Sequence, residues 1–279
     1  MNEKSSTNHV TLCQPKDINI DEVWKEIYSE ASDLAEKEPQ LRKLLTDIVL
    51  SHQCLFSALS ARLARKLARE DMTKDELYPL LFDIFSNNKN ITLSAITDMQ
   101  AIYQRDPACH SMLHPMLFFK GFMAITTYRI SHHLWVMNRK PLALYFQSIS
   151  SEIFGVDIHP GARIGCGLML DHATSVVMGE TAIVEDNVSI LHEVTLGGTG
   201  KQEGARHPIV RSGVMIGAGA KILGRVEIGA GAKIGAGSVV LEDVPACTTV
   251  AGVPAVIVGH TSEENPALEM NQSINCGQI

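Results

Sequence analysis

A chain of 279 residues, 45% hydrophobic and 20% charged, has the composition of a soluble globular protein with room for one large or two ordinary domains. A formal charge of −7 and the lack of any Lys/Arg block argue against a nucleic-acid or anionic-membrane binder. No apolar run reaches the ~18 residues a membrane helix needs, and the N-terminus is polar where a signal peptide needs an apolar core. The six cysteines, Cys13, Cys54, Cys109, Cys166, Cys247 and Cys276, form no CxxC pair and no metal-ligand spacing, so a cytoplasmic protein acting on small molecules is expected.

Residues 1–17 are polar and expected to be flexible. From Ile20, the apolar positions Val23, Trp24, Ile27, Ala31 and Leu34 follow one helical face that ends before Pro39. A second helix is expected from about Leu41 through Leu67, with Leu44, Leu45, Ile48, Leu55, Leu59 and Leu63 inward. Thr73 with Glu76 forms a capping-box pattern that starts a third, burying Leu77, Leu80, Leu81 and Ile84. Asn87 to Asn90 reads as a turn, and a fourth helix runs from Leu93 to Arg105, stopping near Asp106-Pro107 because a residue before proline is pushed from helical angles. Two further apolar helices, 116–137 and 141–152, complete a helical half spanning 18–154. The apolar surface exceeds what these helices need to cover one another, and Met116, Leu117, Phe118, Phe119 and Trp135 suggest burial against other subunits.

The second half, 155–260, carries a six-residue period. Aliphatic residues recur at Ile158, Ile164, Leu170, Val176, Ala182, Val188 and Val194, then at Val210, Ile216, Ile222, Ile228, Ile234 and Val240. A period of six fits neither an amphipathic helix nor an alternating strand; it marks a parallel β-helix in which each hexapeptide forms one short face of a triangular prism. Glycine and alanine between the aliphatic positions suit closely stacked corners. The fold class is therefore α+β, an all-α domain followed by a left-handed parallel β-helix. Residues 245–259 close the last coil, and 261–279, with no Lys or Arg, form a flexible tail.

The phase breaks once, between Val194 and Val210, as one step plus a ten-residue insertion that supplies a loop at 197–208. A loop thrown out of a solenoid whose coils close without it is the first place to look for function. Its Gly197-Gly198-Thr199-Gly200-Lys201 is a weak phosphate-loop signal, since the strand and helix of a Walker motif are missing. His159, His172 and His192, at intervals of 13 and 20, do not keep one place in the hexapeptide, which disfavours a three-histidine metal cage. Acid/base chemistry is the alternative: Asp157 lies fifteen residues before His172, three short of a coil, and a carboxylate on one imidazole nitrogen raises the basicity of the other. Satisfied polar residues at a corner remain the bland reading.

Five runs carry a resemblance: Asp157-Ile158-His159-Pro160, Leu170-Asp171-His172-Ala173-Thr174, Ser189-Ile190-Leu191-His192, Val194 through Lys201, and Arg206-His207-Pro208. With Arg105-Asp106-Pro107-Ala108, Lys120-Gly121-Phe122 and Tyr128-Arg129-Ile130, the sequence closely resembles serine acetyltransferases over about residues 20–260. The resemblance implies acetyl transfer from acetyl-CoA to the hydroxyl of L-serine. By motif, His172 is the general base and Asp157 its orienting carboxylate, Asp106 and Asp171 hold the serine ammonium, and Arg206 and His207 its carboxylate side. A zwitterion fits carboxylates opposite an arginine. CoA is placed on Gly198, Thr199, Gly200, Ala218, Lys233 and Ala236 between subunits, with no metal. The resemblance further implies a homohexamer built as a dimer of trimers, feedback inhibition by L-cysteine, and docking of the terminal Ile279 into O-acetylserine sulfhydrylase. A hexapeptide acetyltransferase for another hydroxyl acceptor, or a non-catalytic solenoid scaffold, stands as the alternative.

Overall fold

The computed structural model describes residues 18–200, 203–261 and 265–274. Helix α1 (Ile20–Lys37) is capped by Asn19, whose side chain accepts from the backbone of Asp21 and Glu22. The expected second helix is broken into α2 (Arg42–Leu45), a π turn (Thr46–Leu50) and α3 (Leu55–Leu67). The Ser51 hydroxyl donates to the Thr46 carbonyl at 2.7 Å and a His52 ring nitrogen lies 3.2 Å from the Asp47 carbonyl, so side chains draw on the carbonyls that a continuous helix needs. The capping box forms as expected, with Glu76 Oε2 accepting the Thr73 N–H at 2.8 Å, and opens α4 (Lys74–Asn87). Only Asn88 separates α4 from α5 (Lys89–Arg105), so the fourth helix begins four residues earlier than its apolar pattern suggests.

The apolar stretch 116–137 is two helices, α6 (Leu113–Phe118) and α7 (Lys120–Val136), hinged at the extended Phe119. Helix α8 (Lys140–Phe154) follows and ends at left-handed Gly155. Helix α7 is buried on every side from Gly121 to Ser131, its polar Thr126, Thr127, Arg129 and Ser131 included, with Phe122, Met123, Ile125, Tyr128, Ile130 and Leu134 inside. Met116 and Leu117 are likewise buried within this chain rather than kept for other subunits; Phe118, 54% exposed, is the residue of that group left outside.

The solenoid follows, its strands numbered in chain order. The first sheet stacks β1 (Val156–Ile158), β4 (Val176–Met178), β7 (Thr195–Gly197), β10 (Lys221–Leu223) and β13 (Val239–Val240). The second stacks β2 (Arg163–Ile164), β5 (Ile183–Val184), β8 (Ile209–Val210) and β11 (Glu227–Ile228). The third stacks β3 (Met169–Leu170), β6 (Ser189–Ile190), β9 (Met215–Ile216) and β12 (Lys233–Ile234), then β14 (Thr248–Gly252), which turns back antiparallel as β15 (Ala255–His260) to close the prism. Short helix α9 (Pro266–Glu269) seals the third sheet: the Ala267 carbonyl accepts from Ser189 Oγ at 2.8 Å, and Pro266 and Ala267 are buried. The described tail segment 265–274 is thus docked, and Ile279 lies outside the described residues.

Strand pairing corrects the single ten-residue insertion. Asp157 pairs with Val177, twenty residues on, whereas Val177 pairs with Thr195, eighteen on, and Ile183 with Ile209, twenty-six on. Two extra residues therefore sit in the turn 171–175 and eight in the loop 197–208. The slip is hidden in sequence because two positions of each hexapeptide point inward: Val176, Ala182, Val188 and Val194 are buried, and so are Met178, Val184, Ile190 and Leu196, two residues after each. An aliphatic phase survives a two-residue shift by passing from one inward row to the other.

The helical half grips the corner between the second and third sheets. Asp98, fully buried on α5, accepts from Arg129 Nε at 2.9 Å, Arg129 Nη2 at 2.6 Å and the Leu168 N–H at 2.9 Å, while Arg129 Nη2 donates to the Gly165 carbonyl at 2.8 Å. Backbone groups bond both partners besides the ion pair itself, which is what a buried ion pair needs to be tolerated.

Candidate active site

The other two corners hold the candidate residues. At the corner between the third and first sheets, the enlarged turn 171–175 presents His172 with φ 54°, followed by Ala173 at 58° and Ser175 at 60°. Such left-handed angles are costly outside glycine, and strain of this kind gathers at functional sites. The turn is held by its neighbours: Ser175 N–H donates to the Gly155 carbonyl at 2.6 Å, Glu193 N–H to the Thr174 carbonyl at 2.7 Å, and Lys120 Nζ to Thr174 Oγ1. The His172 side chain is 77% exposed, with Nε2 3.8 Å from Asp171 Oδ1.

His192, which sequence reasoning left without a role, stacks directly above. It lies twenty residues after His172, the local coil length, and the ring centroids are 6.0 Å apart at 71°. Its Nδ1 is buried and has no hydrogen-bond partner among the described residues. The two histidines thus keep one place in successive coils, contrary to the count made on an eighteen-residue coil. Among the described residues no three His, Cys, Asp or Glu side chains gather as a metal-binding group.

Arg206 and His207 occupy the opposite edge of the first sheet. The loop returns over the turn 179–182, where the His207 ring lies against Gly179; a Cβ there would fall 2.0 Å from His207 Nε2. Arg206 Nη2 bonds Glu180 Oε2 at 2.9 Å, which holds the Glu180 carboxyl below the usual range. Burial, and then the Arg206 charge, lower the His207 imidazole below its ordinary value. His159 lies at the same corner, its ring 5.0 Å from that of Trp135, and burial lowers it too. Glu180 and Thr181 are candidate site residues the sequence did not flag; their signal is only that they lie one local coil after Pro160 and Gly161 and the loop with its eight extra residues folds onto them.

Asp157 stands between the two corners on β1, where its Oδ1 accepts from Gln147 Nε2 of α8 at 2.6 Å. Its bond is to that amide and not to His172. Asp106 caps its own turn, Oδ1 accepting the Ala108 N–H at 2.8 Å, while neighbouring Arg105 donates to Ser189 Oγ at 3.1 Å and Asn187 Oδ1 at 3.3 Å. Ala218 and Ala236 share the His172 corner, where Gly237 N–H donates to the Ala218 carbonyl at 2.8 Å. Gly198, Thr199 and Gly200 lie on the loop at the other, with Lys201 outside the described residues. Lys233 is buried and its Nζ donates to the Ser273 carbonyl at 2.6 Å, so the docked tail takes up this ammonium.

A strained, exposed histidine on a hexapeptide solenoid is a pattern that comparisons can place. Residues 23–127 match the family pattern described as serine acetyltransferase, N-terminal, and residues 207–242 match the bacterial transferase hexapeptide (six repeats). The chain is 53% identical over 251 residues to a serine acetyltransferase of Haemophilus influenzae, covering 90% of this chain and 94% of that protein. It is 51% identical over 253 residues to that of Escherichia coli (strain K12), covering 91% and 93%. Among solved structures, serine acetyltransferase from Vibrio cholerae matches with a TM-score of 0.90 at 50% identity, over 92% of this chain and 100% of that one. A serine acetyltransferase in complex with cysteine gives 0.89 at 52%, covering 91% and 99%, and one from Brucella abortus in complex with coenzyme A gives 0.85 at 49%, covering 87% and 97%. With half its residues shared along nine-tenths of its length, the chain belongs to the serine acetyltransferase family and is an acyltransferase.

Proposed function

We propose that this chain transfers the acetyl group of acetyl-CoA to the hydroxyl of L-serine, giving O-acetyl-L-serine and CoA, with His172 as the general base. The observation that carries the assignment is the two-residue enlargement that lifts His172 out of the coil on a left-handed turn beside Asp171. The imidazole takes the hydroxyl proton as the serine oxygen attacks the thioester carbonyl; the tetrahedral intermediate then expels CoA thiolate, which recovers the proton. His192 is a second imidazole beside it, ring centroid to ring centroid 6.0 Å. Asp157, on the strand alongside, orients His172 once the Gln147 amide releases it. Direct attack suits a chain with no evident acyl-accepting nucleophile.

The split of the site supports an oligomer. Strand β4, three residues long, separates the His172 turn from the Arg206 and His207 seat, and three extended residues span about 10 Å, more than one serine bridges. Asp171 and His172 of one copy facing Arg206 and His207 of another bring the ammonium and carboxylate subsites together, with CoA along Ala218 and Ala236 of one copy and Gly198 to Gly200 of the next. This favours trimers, paired through the helical halves into a hexamer. A phosphate at Lys233 has to displace the tail that holds it. L-cysteine, serine with sulfur for oxygen, fits the same subsites as a feedback inhibitor, and the terminal Ile279 is the proposed contact for O-acetylserine sulfhydrylase.

The test is loss of thioester absorbance from acetyl-CoA with L-serine, set against other hydroxyl acceptors. Turnover with a sugar or antibiotic hydroxyl and none with serine overturns the substrate; no turnover with any acceptor favours the scaffold. Light scattering of the active species settles the assembly, and a full-activity monomer contradicts it. Deleting Ile279 is expected to abolish sulfhydrylase binding in calorimetry and leave acetyl transfer unchanged.

A further inference from the structure

The loop carrying Arg206 and His207 is seated on one hydroxyl. Thr181 Oγ1 accepts the Arg206 N–H at 3.0 Å and the His207 N–H at 3.2 Å, and lies 2.9 Å from His207 Nδ1. The Thr181 N–H points at the same Nδ1 from 3.2 Å. A backbone N–H can only donate, so Nδ1 must present its lone pair. Both lone pairs of the threonine oxygen are taken by backbone donors, so its own proton also goes to Nδ1.

We propose that Thr181 is a positioning residue that fixes His207 as the neutral tautomer protonated at Nε2 and sets Arg206 beside it. The surroundings leave that ring one seat. Gly179 lies beneath it without a Cβ, and Arg225 Nη1 closes the exit by donating to the His207 carbonyl at 2.9 Å and the Thr181 carbonyl at 3.2 Å. The charged and titratable groups facing the ring are Arg206, Glu180, His159 and Arg225. Adding a proton at Nδ1 would set donor against donor at Thr181, so burial and this contact act in the same direction.

The consequence is a division of labour between imidazoles. His207, with Nδ1 occupied, offers only an N–H, which suits a carboxylate oxygen and not proton abstraction; His172, exposed and unclamped, is left as the base. This deepens the reading that Arg206 and His207 hold the serine carboxylate, and rests on it.

The experiment compares Thr181→Val, which keeps the shape and removes the hydroxyl, with Thr181→Ser, which keeps it. Solid-state nitrogen NMR of the full-length protein with 15N-labelled histidine, assigned by subtraction with His207→Gln, reads the tautomer without substrate. The expected wild-type spectrum shows His207 protonated at Nε2 alone. Thr181→Val is expected to give mixed tautomers and a kcat/KM for serine lower by about 10- to 100-fold, mostly through KM, and Thr181→Ser to restore both. A wild-type His207 protonated at Nδ1, or a Thr181→Val variant with unchanged spectrum and unchanged KM, overturns the proposal. Should wild type fail to acetylate serine, the substrate reading falls, and the spectrum still decides the role of Thr181.

Discussion

Gly121, at the start of α7, sets two physical effects against each other. Gly→Ala inside an exposed helix stabilises by up to about 1 kcal/mol, so propensity alone predicts a better protein. Contact geometry predicts the reverse: a Cβ at 121 would lie 2.1 Å from the Leu170 carbonyl oxygen and 3.1 Å from the Leu170 carbonyl carbon. Ordinary contact begins near 3.4 Å, so the helix and the coil must part by more than an ångström, and a backbone carbonyl cannot rotate away as a side chain would. Overpacking of this kind costs about 1–3 kcal/mol, leaving Gly121→Ala destabilised by about 0–2 kcal/mol net. The larger effect falls on activity. Leu170 immediately precedes Asp171 and His172, and Lys120 holds Thr174 on the far side of the turn, so α7 cannot retreat without moving His172, the proposed base. A misplacement of about 1 Å costs on the order of 10²-fold in rate. Thermal unfolding and acetyl-CoA turnover measured together decide it. A variant with a raised melting temperature and full turnover would show that the α7 contact does not position the base.

Further expectations follow the same geometry. His172→Ala should lower turnover by ~10²- to 10⁴-fold with acetyl-CoA binding kept, and Asp157→Asn should cost less, since Asp157 is bonded to Gln147; near-normal turnover of the His172 variant in the thioester assay removes it as the base. Asp98→Ala strands Arg129 in the buried clamp and should destabilise by about 3–5 kcal/mol in denaturant unfolding, whereas replacing both partners with apolar residues should cost much less. His207 is lowered from its ordinary 6.5 by burial and by Arg206, so the docked loop favours the neutral ring. Its contribution is present above 6.5 and is lost as pH falls through the lower folded value, so the KM for serine should climb once acidification passes that value, and a KM that stays flat until the protein unfolds contradicts the seat.

The sequence showed the solenoid because an aliphatic residue every sixth place has no other cheap explanation, and it showed the Thr73 capping box because two side chains three apart settle it locally. It did not show the break at Ser51 to Cys54, where apolar spacing continues and the interruption comes from side chains bonding nearby carbonyls. Nor did it show where α7 begins, since an apolar run long enough for one helix hides a hinge at Phe119. The loop was legible as a departure from the repeat; His172 was legible only through the motif it resembles, because the two-residue enlargement that raises it leaves the aliphatic phase intact. Thr181 was not, because its importance comes from what folds onto it twenty-five residues later.

The two departures from the hexapeptide period explain why the site is where it is. A regular coil has three equivalent corners, and the helical half occupies one of them through Asp98 and Arg129. Of the other two, which the helical half touches through Lys120 and Trp135, one gains two residues and raises His172; the other gains eight and brings Arg206 and His207 down onto Thr181. On the roles proposed for these residues, each addition supplies half of what an amino-acid substrate needs, and the first sheet holds the halves apart. Had both lain at one corner, a single chain could hold serine by itself. As built, neither corner is complete, so dissociated chains should lose serine turnover while each keeps its folded solenoid. Dilution through the dissociation range, followed by activity and circular dichroism together, reads this: turnover that persists in the monomer would mean that β4 does not divide the site.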